Sequence, residues 1–216
     1  SLKVLNTVRV ELRRIVAERT GGVILLENYY TENMFFSVKP LTKPEDFRSL
    51  RVRVTGTAWA DLMRAMGAEP FTSNFSDVPT AFERGIMDAA INCGTCGGSQ
   101  SWYQVTDYLI GPVPSIAFTW LSMNRVVWNA LPAKIQEVVR EEATRHQQIS
   151  LRLATNDRLK QGIQQNVNNG MKHLGLSPEI QAAFRKAAID TVLPAWVKRV
   201  GGPSTPVVRF FNEQVA

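Results

Sequence analysis

The sequence is poor in the residues and motifs that build most catalytic and metal centres. Its 216 residues include only two histidines and two cysteines. His146 and His173 lie far from the cysteine pair, and a second pair is missing, which argues against a zinc site. The GxSxG and HExxH motifs are absent, and the run CGTCGGS lacks the Lys-Ser/Thr ending of a phosphate-binding loop. The sequence therefore predicts a protein that is not an enzyme, without catalytic residues, bound metal or cofactor.

Long apolar runs and long runs of one charge are missing as well. No apolar run approaches the roughly 20 residues that a membrane helix needs, so we expect a chain that does not itself span a membrane. The formal net charge is +6, but basic residues are scattered among acidic ones and the longest basic run is Arg13-Arg14. This pattern favours a solvated basic surface, and we expect no nucleic-acid partner. A charge-driven anion-binding or nucleic-acid-binding module is the weakest of three interpretations.

The segment 41–108 alternates short strand-like runs with short helical runs. The spacing predicts a strand at 50–54, a helix at 58–66, a strand at 68–71, a helix ending near 82 and a strand at 86–91. Strand-helix-strand crossovers predict a mostly parallel sheet, with functional groups at the carboxyl ends of its strands. Arg53 and Asn92 lie at such ends, and Phe75 lies in the loop after the second strand.

The rest of the chain is predicted to be mainly helical. Apolar spacing predicts helices at 3–18, 132–172, 177–199 and 203–216 and strands at 23–27, 108–110 and 116–122. Thr42, Pro44 and Glu45 form a capping-box signature, which predicts a short helix before the first strand of the alternating segment. The region 132–172 is either one long helix or two, with Gly162 or the turn Asn168-Asn169-Gly170 as the break.

Four segments of the chain carry a family resemblance. In order they read KPEDFRSLRVRV, MRAMGAEPFTSNFSDVPTAFERGIMDAAIN, WYQVTDYL and MNRVVWNALP. They resemble the substrate-binding proteins of tripartite ATP-independent periplasmic (TRAP) transporters, the DctP family, and the similarity extends over nearly the whole chain. The resemblance implies an α/β, periplasmic-binding-protein-like fold with two lobes, mostly parallel sheets and a long helix in the C-terminal half that crosses the lobes. It also implies a periplasmic receptor that binds a small organic acid between the lobes and delivers it to a TRAP-type membrane permease.

The resemblance further implies a division of the chain. Residues 1–34 would form part of the first lobe and a crossover, and 35–105 would form the second-lobe α/β unit with the ligand site. Residues 106–131 would supply crossover strands, and 132–216 the long helix and the C-terminal helices that pack on both lobes. A signal peptide and the family's first strand-helix-strand segment are missing before the first helix, so we expect a shortened form of an exported protein.

Five residues are candidate ligand-binding residues under this resemblance: Arg53, Asn92, Phe75, Asn33 and Trp120. The planar fork of Arg53 matches a carboxylate, although spacing alone favours a surface ion pair for it. Asn92 would add a hydrogen bond, and Phe75 would shield the ligand from water. Asn33 stands where some members carry a second ligand-binding arginine, so we expect a monocarboxylate with an apolar or aromatic body. Trp120 is a weaker candidate, whose alternative role is packing.

The pair Cys93 and Cys96 supports an alternative function, that of a periplasmic thiol-disulfide oxidoreductase. Redox CxxC pairs act when the first thiol is acidified at a helix N-terminus. This pair follows a third crossover instead of an early strand of a small domain, and a lone CxxC is a weak motif. An incidental disulfide and two packed thiols are the remaining interpretations. Around Asn92 the chain also departs from the run DGQENP that is common in the family, since residues 88–93 read DAAINC.

Overall fold

The computed structural model describes residues 2–115, 117–156 and 158–215, with side chains described for 9–115, 117–155 and 158–213. The chain divides into two compact units. The first comprises Ser1–Thr31, Ile116–Asp157 and Pro206–Ala216, and the second comprises Glu32–Ser115 and Arg158–Thr205. The lobe boundaries expected from the family resemblance stay a prediction. None of the helices within the described ranges combines the length and hydrophobicity that a membrane span requires.

Strands and helices alternate through most of the chain. In order they are α1 (Leu2–Thr20), β1 (Gly22–Tyr30), β2 (Asn33–Ser37), β3 (Arg51–Arg53), α2 (Thr57–Ala65), β4 (Glu69–Phe71), α3 (Val78–Glu83), β5 (Ala89–Cys93), α4 (Gly94–Ser99), β6 (Tyr108–Val113), β7 (Ala117–Asn124), α5 (Arg125–Ala130), α6 (Ala133–Asn156), α7 (Arg158–Asn168), β8 (Lys172–Leu174), α8 (Pro178–Ala187), α9 (Leu193–Arg199) and α10 (Pro206–Val215). Short 3-10 helices cover Pro44–Phe47, Phe75–Asp77 and Trp102–Gln104, and a π-helical turn joins α8 to α9.

The first unit is built on the antiparallel pair of β1 and β7, with α6 packed on β1. Glu27 on β1 is 1% exposed, and both its carboxylate and its backbone N–H are hydrogen-bonded. Its carboxylate accepts hydrogen bonds from Tyr29 Oη at 2.5 Å and from Arg13 Nη1 at 3.4 Å. Its backbone N–H donates to Gln147 Oε1 of α6 at 2.9 Å. Because a buried charge is stable only when it is paired, the ion pair with Arg13 holds α1 on the strand pair, and the hydrogen bond to Gln147 holds α6 there.

The second unit is built on a mixed sheet whose described strands run in the order β4-β3-β5-β2-β6-β8. β3 is parallel to β4 and to β5, and β8 is parallel to β6, whereas β2 is antiparallel to both of its neighbours. The predicted fold class, α/β with a parallel-rich sheet, is confirmed. The sequence pattern did not predict two strands of this sheet, β2 and β8. β2 is buried at every position and shows no alternation, and the three residues of β8 are too few to show it.

Both faces of this sheet are covered by helices, so two apolar clusters form. One cluster joins the sheet to α2 and α8, with Val52, Ile91, Met63 and Phe184 among its members. The other joins the sheet to α3 and α7; its members include Phe36, Ala90, Phe82, Trp102 and the partly buried Phe75 and Ile163. Burial on both faces explains why β5 and β6 are mainly apolar runs.

Several local predictions need correction. The carboxylate that caps the 3-10 helix at Pro44–Phe47 is Asp46, which accepts from the backbone and hydroxyl of Thr42 at 2.7 and 3.0 Å, and not Glu45. A helix break at Gly162 is wrong, because this glycine lies within α7. The turn at residues 168–170 is confirmed as the end of that helix, and Gly170 there has a φ of +99°.

Arg51 and Asp88 fix the register of β3 against β5. Asp88 accepts hydrogen bonds from the backbone N of Arg51 at 3.0 Å, from Nε at 3.0 Å and from Nη2 at 2.8 Å. The pKa of the Asp88 carboxyl is lowered, and the main cause is the side-chain hydrogen bonding from Arg51. In this register Arg53 pairs with Ala90, so the last residue of β3 lies beside the end of β5.

We expect acid to remove the contribution of this ion pair. A carboxyl with a lowered folded-state pKa stabilises the protein above its unfolded pKa of about 3.9, and this stabilisation is lost as pH falls through the folded value. Asp88→Asn should lower the free energy of unfolding by about 1 kcal/mol at neutral pH, and by less near pH 2, in urea titrations. Glu83→Gln, at an exposed carboxyl, is the control. The same wild-type-to-variant difference at both pH values would contradict this assignment.

Candidate ligand-binding site

The ends of five strands meet at one edge of the sheet in the second unit. These are the carboxyl ends of β3, β4, β5 and β6 and the beginning of β2, as the pairings of Arg53 with Phe71 and of Asn33 with Cys93 and Val113 show. Four of the five predicted residues lie at this edge: Arg53, Asn92, Asn33 and, just beyond β4, Phe75. The fifth, Trp120, lies on β7 in the first unit.

Arg53 is the buried cation of this edge, with 6% of its surface exposed. Its Nη1 donates to the carbonyl of Ile91 at 3.4 Å, and its Nη2 donates to the carbonyl of Ser73 at 3.3 Å. Its Nε is fully buried and has no hydrogen-bond partner among the residues that the structure describes. Burial lowers the pKa of the guanidinium, and no carboxylate among the described residues opposes that effect. The side chain is therefore held by two carbonyls while a buried donor and most of its charge stay uncompensated.

Ser73 is a candidate that the sequence interpretation missed. Its carbonyl holds Arg53, and its Oγ is buried without a hydrogen-bond partner in the described part of the chain. Buried hydroxyls are nearly always hydrogen-bonded, so an unpaired one on the residue whose carbonyl holds Arg53 makes Ser73 a candidate for ligand contact. Its place in the loop after β4 was the available signal, since functional groups collect beyond the carboxyl ends of parallel strands.

Asn92 and Asn33 differ in how far their side-chain amides are already hydrogen-bonded. Asn92 Oδ1 accepts from the backbone N of Cys93 at 2.9 Å, and its Nδ2 makes no hydrogen bond within the described residues. Asn33 is 6% exposed, and both its backbone N and its Nδ2 donate to Ser115 Oγ, at 3.1 and 3.2 Å. The amide of Asn92 is thus oriented with a donor to spare, whereas the amide of Asn33 is engaged in holding the loop after β6.

The two aromatic candidates, Phe75 and Trp120, lie in different units. Phe75 packs against the buried Trp102 with ring centroids 5.3 Å apart, yet it remains partly exposed. It belongs to the same apolar cluster as Ala90, the partner of Arg53 in the sheet, so it lies on the Arg53 face. Trp120 packs edge-to-face on Phe118 at 5.0 Å in the first unit, which fits the packing role that the sequence left open.

Cys93 and Cys96 form a disulfide. Cys93 ends β5 and is the N-cap residue of α4, and its Sγ accepts from the backbone N of Cys96 at 3.1 Å. The structure thus supports a disulfide over two packed thiols. Within the part of the chain that the structure describes, no group of three or more His, Cys, Asp or Glu side chains is arranged to hold a metal ion.

Comparison with known proteins identifies the family. Residues 11–198 match the DctP family, described as bacterial extracellular solute-binding protein, family 7. The chain belongs to this family. The resemblance predicted from the four sequence segments is therefore confirmed, and the family is one of solute-binding proteins and not of enzymes. Nothing in the family assignment supports the oxidoreductase alternative.

Individual relatives agree with the family assignment. The C4-dicarboxylate-binding periplasmic protein DctP of Rhodobacter capsulatus is 28% identical over 126 residues, which are 58% of this chain and 37% of that protein. An uncharacterised Haemophilus influenzae protein is 28% identical over 144 residues, which are 66% of this chain and 44% of that protein. The chain thus matches less than half of the length of these curated relatives.

A solved structure shares the fold of the chain at low identity. It is DctP7 of Bordetella pertussis, an extracytoplasmic solute receptor binding pyroglutamic acid. It has a TM-score of 0.88 and 18% identity, over 98% of this chain and 68% of that one. The periplasmic-binding-protein-like fold predicted from the sequence is confirmed by this likeness.

Replacing Arg53 should stabilise the ligand-free protein. An apolar side chain of similar length would remove a buried charge that has no counter-ion in the described part of the chain, so Arg53→Met should raise the free energy of unfolding by about 1–4 kcal/mol. Arg51→Met is the matched control on the same strand, and it should lower stability by about 1–3 kcal/mol because it breaks the hydrogen bonds to Asp88. Urea unfolding at neutral pH measures both. A loss of stability in Arg53→Met equal to that in Arg51→Met would show that Arg53 is a structural residue.

Proposed function

We propose that this DctP-family chain is the solute receptor of a TRAP-type transporter and that it binds a small carboxylate through Arg53. The observation that carries the proposal is the buried guanidinium with an unpaired Nε at the carboxyl ends of β3 and β5. Charge-assisted hydrogen bonds to a carboxylate are about twice as strong as neutral ones, and a buried cation without a partner gains most from them. A bound carboxylate would supply the missing counter-ion.

The surrounding polar groups suit the remainder of a small polar ligand. Ser73 Oγ offers a buried hydroxyl that can donate or accept, and Asn92 Nδ2 offers a donor. Phe75 lies on the same face with part of its ring exposed, so it supplies an apolar wall that would exclude water from the ion pair. Exclusion of water strengthens the pairing of the guanidinium with its ligand.

The chemistry of the site favours a monocarboxylate over a dicarboxylate. Asn33 stands at the position where some family members carry a second ligand-binding arginine. It is a neutral amide that already donates to Ser115. The related receptor DctP7 binds pyroglutamic acid, a compact ring with one carboxylate. In this chain, a second carboxylate on the ligand would meet the neutral amide of Asn33 instead of a cation. We propose that the ligand is a small ring-bearing monocarboxylate, with Trp120 as a packing residue of the first unit.

The wider role follows from the family. A solute-binding protein of this kind would work in the periplasm, without catalysing a reaction, and would deliver its ligand to the membrane subunits of a TRAP permease. The excess of basic residues, +6 overall, would favour capture of anions by the free receptor.

Binding of organic acids to the full-length gene product tests the proposal. Native mass spectrometry of gently purified protein should show an added small mass, and calorimetric titration should show tighter binding of pyroglutamate than of succinate. Arg53→Ala should weaken binding at least about 30-fold, because removing one partner of a buried charge pair costs about 2–5 kcal/mol. Arg53→Lys keeps the charge but not the planar fork, so its affinity should lie between that of the wild type and that of Arg53→Ala.

Arg64→Ala is the matched control for this experiment. Arg64 is an exposed arginine on α2, 61% exposed and paired with Asp61 at 3.5 Å. Its removal should leave binding unchanged. The proposed role of Arg53 is wrong if Arg53→Ala retains the wild-type affinity.

A further inference from the structure

The disulfide of this protein lies at the ligand site and not in a remote part of the fold. Cys93 directly follows Asn92, and its backbone N–H donates to Asn92 Oδ1 at 2.9 Å, which sets the orientation of that amide. Cys93 also pairs with Asn33 across β5 and β2. The carbonyl of Ile91, two residues before the cysteine, accepts the hydrogen bond from Arg53. The covalent link therefore begins at the residue that orients one candidate ligand group and lies two residues from a carbonyl that holds another.

The helix that this disulfide joins is weak by composition. α4 has six residues, GTCGGS, of which three are glycines. Each glycine costs a helix about 1 kcal/mol relative to alanine, and isolated helices of this length do not form in water. α4 therefore depends on restraints from outside its own backbone.

Close packing opposes better helix formers at Gly97 and Gly94, whereas at Gly98 the obstacle is the end of the flexible Gln165 side chain. A Cβ on Gly97 would lie 2.3 Å from the ring of Phe36, and one on Gly98 would lie 2.6 Å from the side chain of Gln165. A Cβ on Gly94 would lie 3.2 Å from the backbone of Gly162. The packing of α4 between β2 and α7 therefore requires a sequence that forms a helix poorly.

Two restraints compensate for this sequence. Asn166, fully buried on α7, donates its Nδ2 to the carbonyls of Gly94 at 2.9 Å and Gly162 at 2.7 Å. The disulfide ties the N-cap residue Cys93 to the first turn of α4 at Cys96, where the hydrogen bond from the Cys96 N–H to Cys93 Sγ also closes. Of these two, only the disulfide restrains the residue that orients Asn92.

We propose that the Cys93–Cys96 disulfide is a positioning element of the ligand site, so that ligand affinity depends on its redox state. The inference rests on the proposed function of the Arg53 edge. Reduction by a dithiol transfers two electrons and two protons: the S–S bond breaks, each sulfur becomes a thiol, and the dithiol closes to its own disulfide. The N-cap of α4 then loosens, the hydrogen bond to Asn92 Oδ1 is no longer fixed, and the donor of this amide loses its orientation. In an oxidising periplasm the link would be formed and the site ordered.

The test compares oxidised and dithiothreitol-reduced full-length gene product, at a temperature well below both unfolding midpoints. Hydrogen exchange of the amides in the peptide 92–101 should become at least about tenfold faster on reduction, while exchange in β3 stays unchanged. The dissociation constant for pyroglutamate, measured by calorimetry, should rise at least about tenfold. The double variant Cys93→Ala/Cys96→Ala should show the weaker affinity with and without dithiothreitol, which controls for effects of the reductant elsewhere.

The outcomes separate this inference from the proposed function. A lower unfolding midpoint on reduction with an unchanged dissociation constant would overturn the inference, because the disulfide would then act only on stability. Unchanged exchange in the peptide 92–101 would overturn it as well. If the oxidised protein binds no pyroglutamate, the proposed ligand class fails, and the exchange rates of that peptide alone decide whether the disulfide orders the segment that carries Asn92.

Discussion

The guanidinium of Arg53 is a buried charge without a described counter-ion, and the structure around it depends on this constraint. A cation removed from water is costly unless it is paired, and two carbonyl contacts of 3.3 and 3.4 Å offset only part of that cost. The desolvation cost of this charge is therefore only partly compensated in the ligand-free protein. A carboxylate bound at Nε would compensate the remainder, so that binding free energy would come from an arrangement that the ligand-free fold already holds in place.

Two arginines on β3 have different roles, and the packing around the strand holds both in place. Arg51 pairs with Asp88 and sets the register of β3, whereas Arg53, two residues further on, meets no carboxylate of the described residues. Apolar clusters on both faces of the sheet hold the strands between α2 and α8 on one side and α3 and α7 on the other. Beyond the strand ends, the glycine packing, Asn166 and the disulfide fix the short helix that follows Asn92. Preorganisation of this kind reduces the ordering cost of binding.

Much of the fold and part of the site were predictable from the sequence, for physical reasons. Alternation in β3 and the crossover pattern located Arg53 and Asn92 at strand ends, because a parallel sheet collects its loops at one edge. Ser73 was missed because an unpaired hydroxyl is visible only once its surroundings are known. The choice of Asp46 over Glu45 as the capping carboxylate, and the burial of Gly162 within α7, depend on tertiary geometry that composition does not encode. The family came from four ordered segments and not from spacing alone.

A crystal structure of the full-length gene product with pyroglutamate bound would show whether the carboxylate is held by Arg53. We expect a carboxylate oxygen about 2.7–2.9 Å from Arg53 Nε or Nη2 and a ligand polar atom within hydrogen-bond distance of Ser73 Oγ. A ligand that makes no contact with Arg53, with the guanidinium still bonded only to the carbonyls of Ile91 and Ser73, would contradict this role of Arg53.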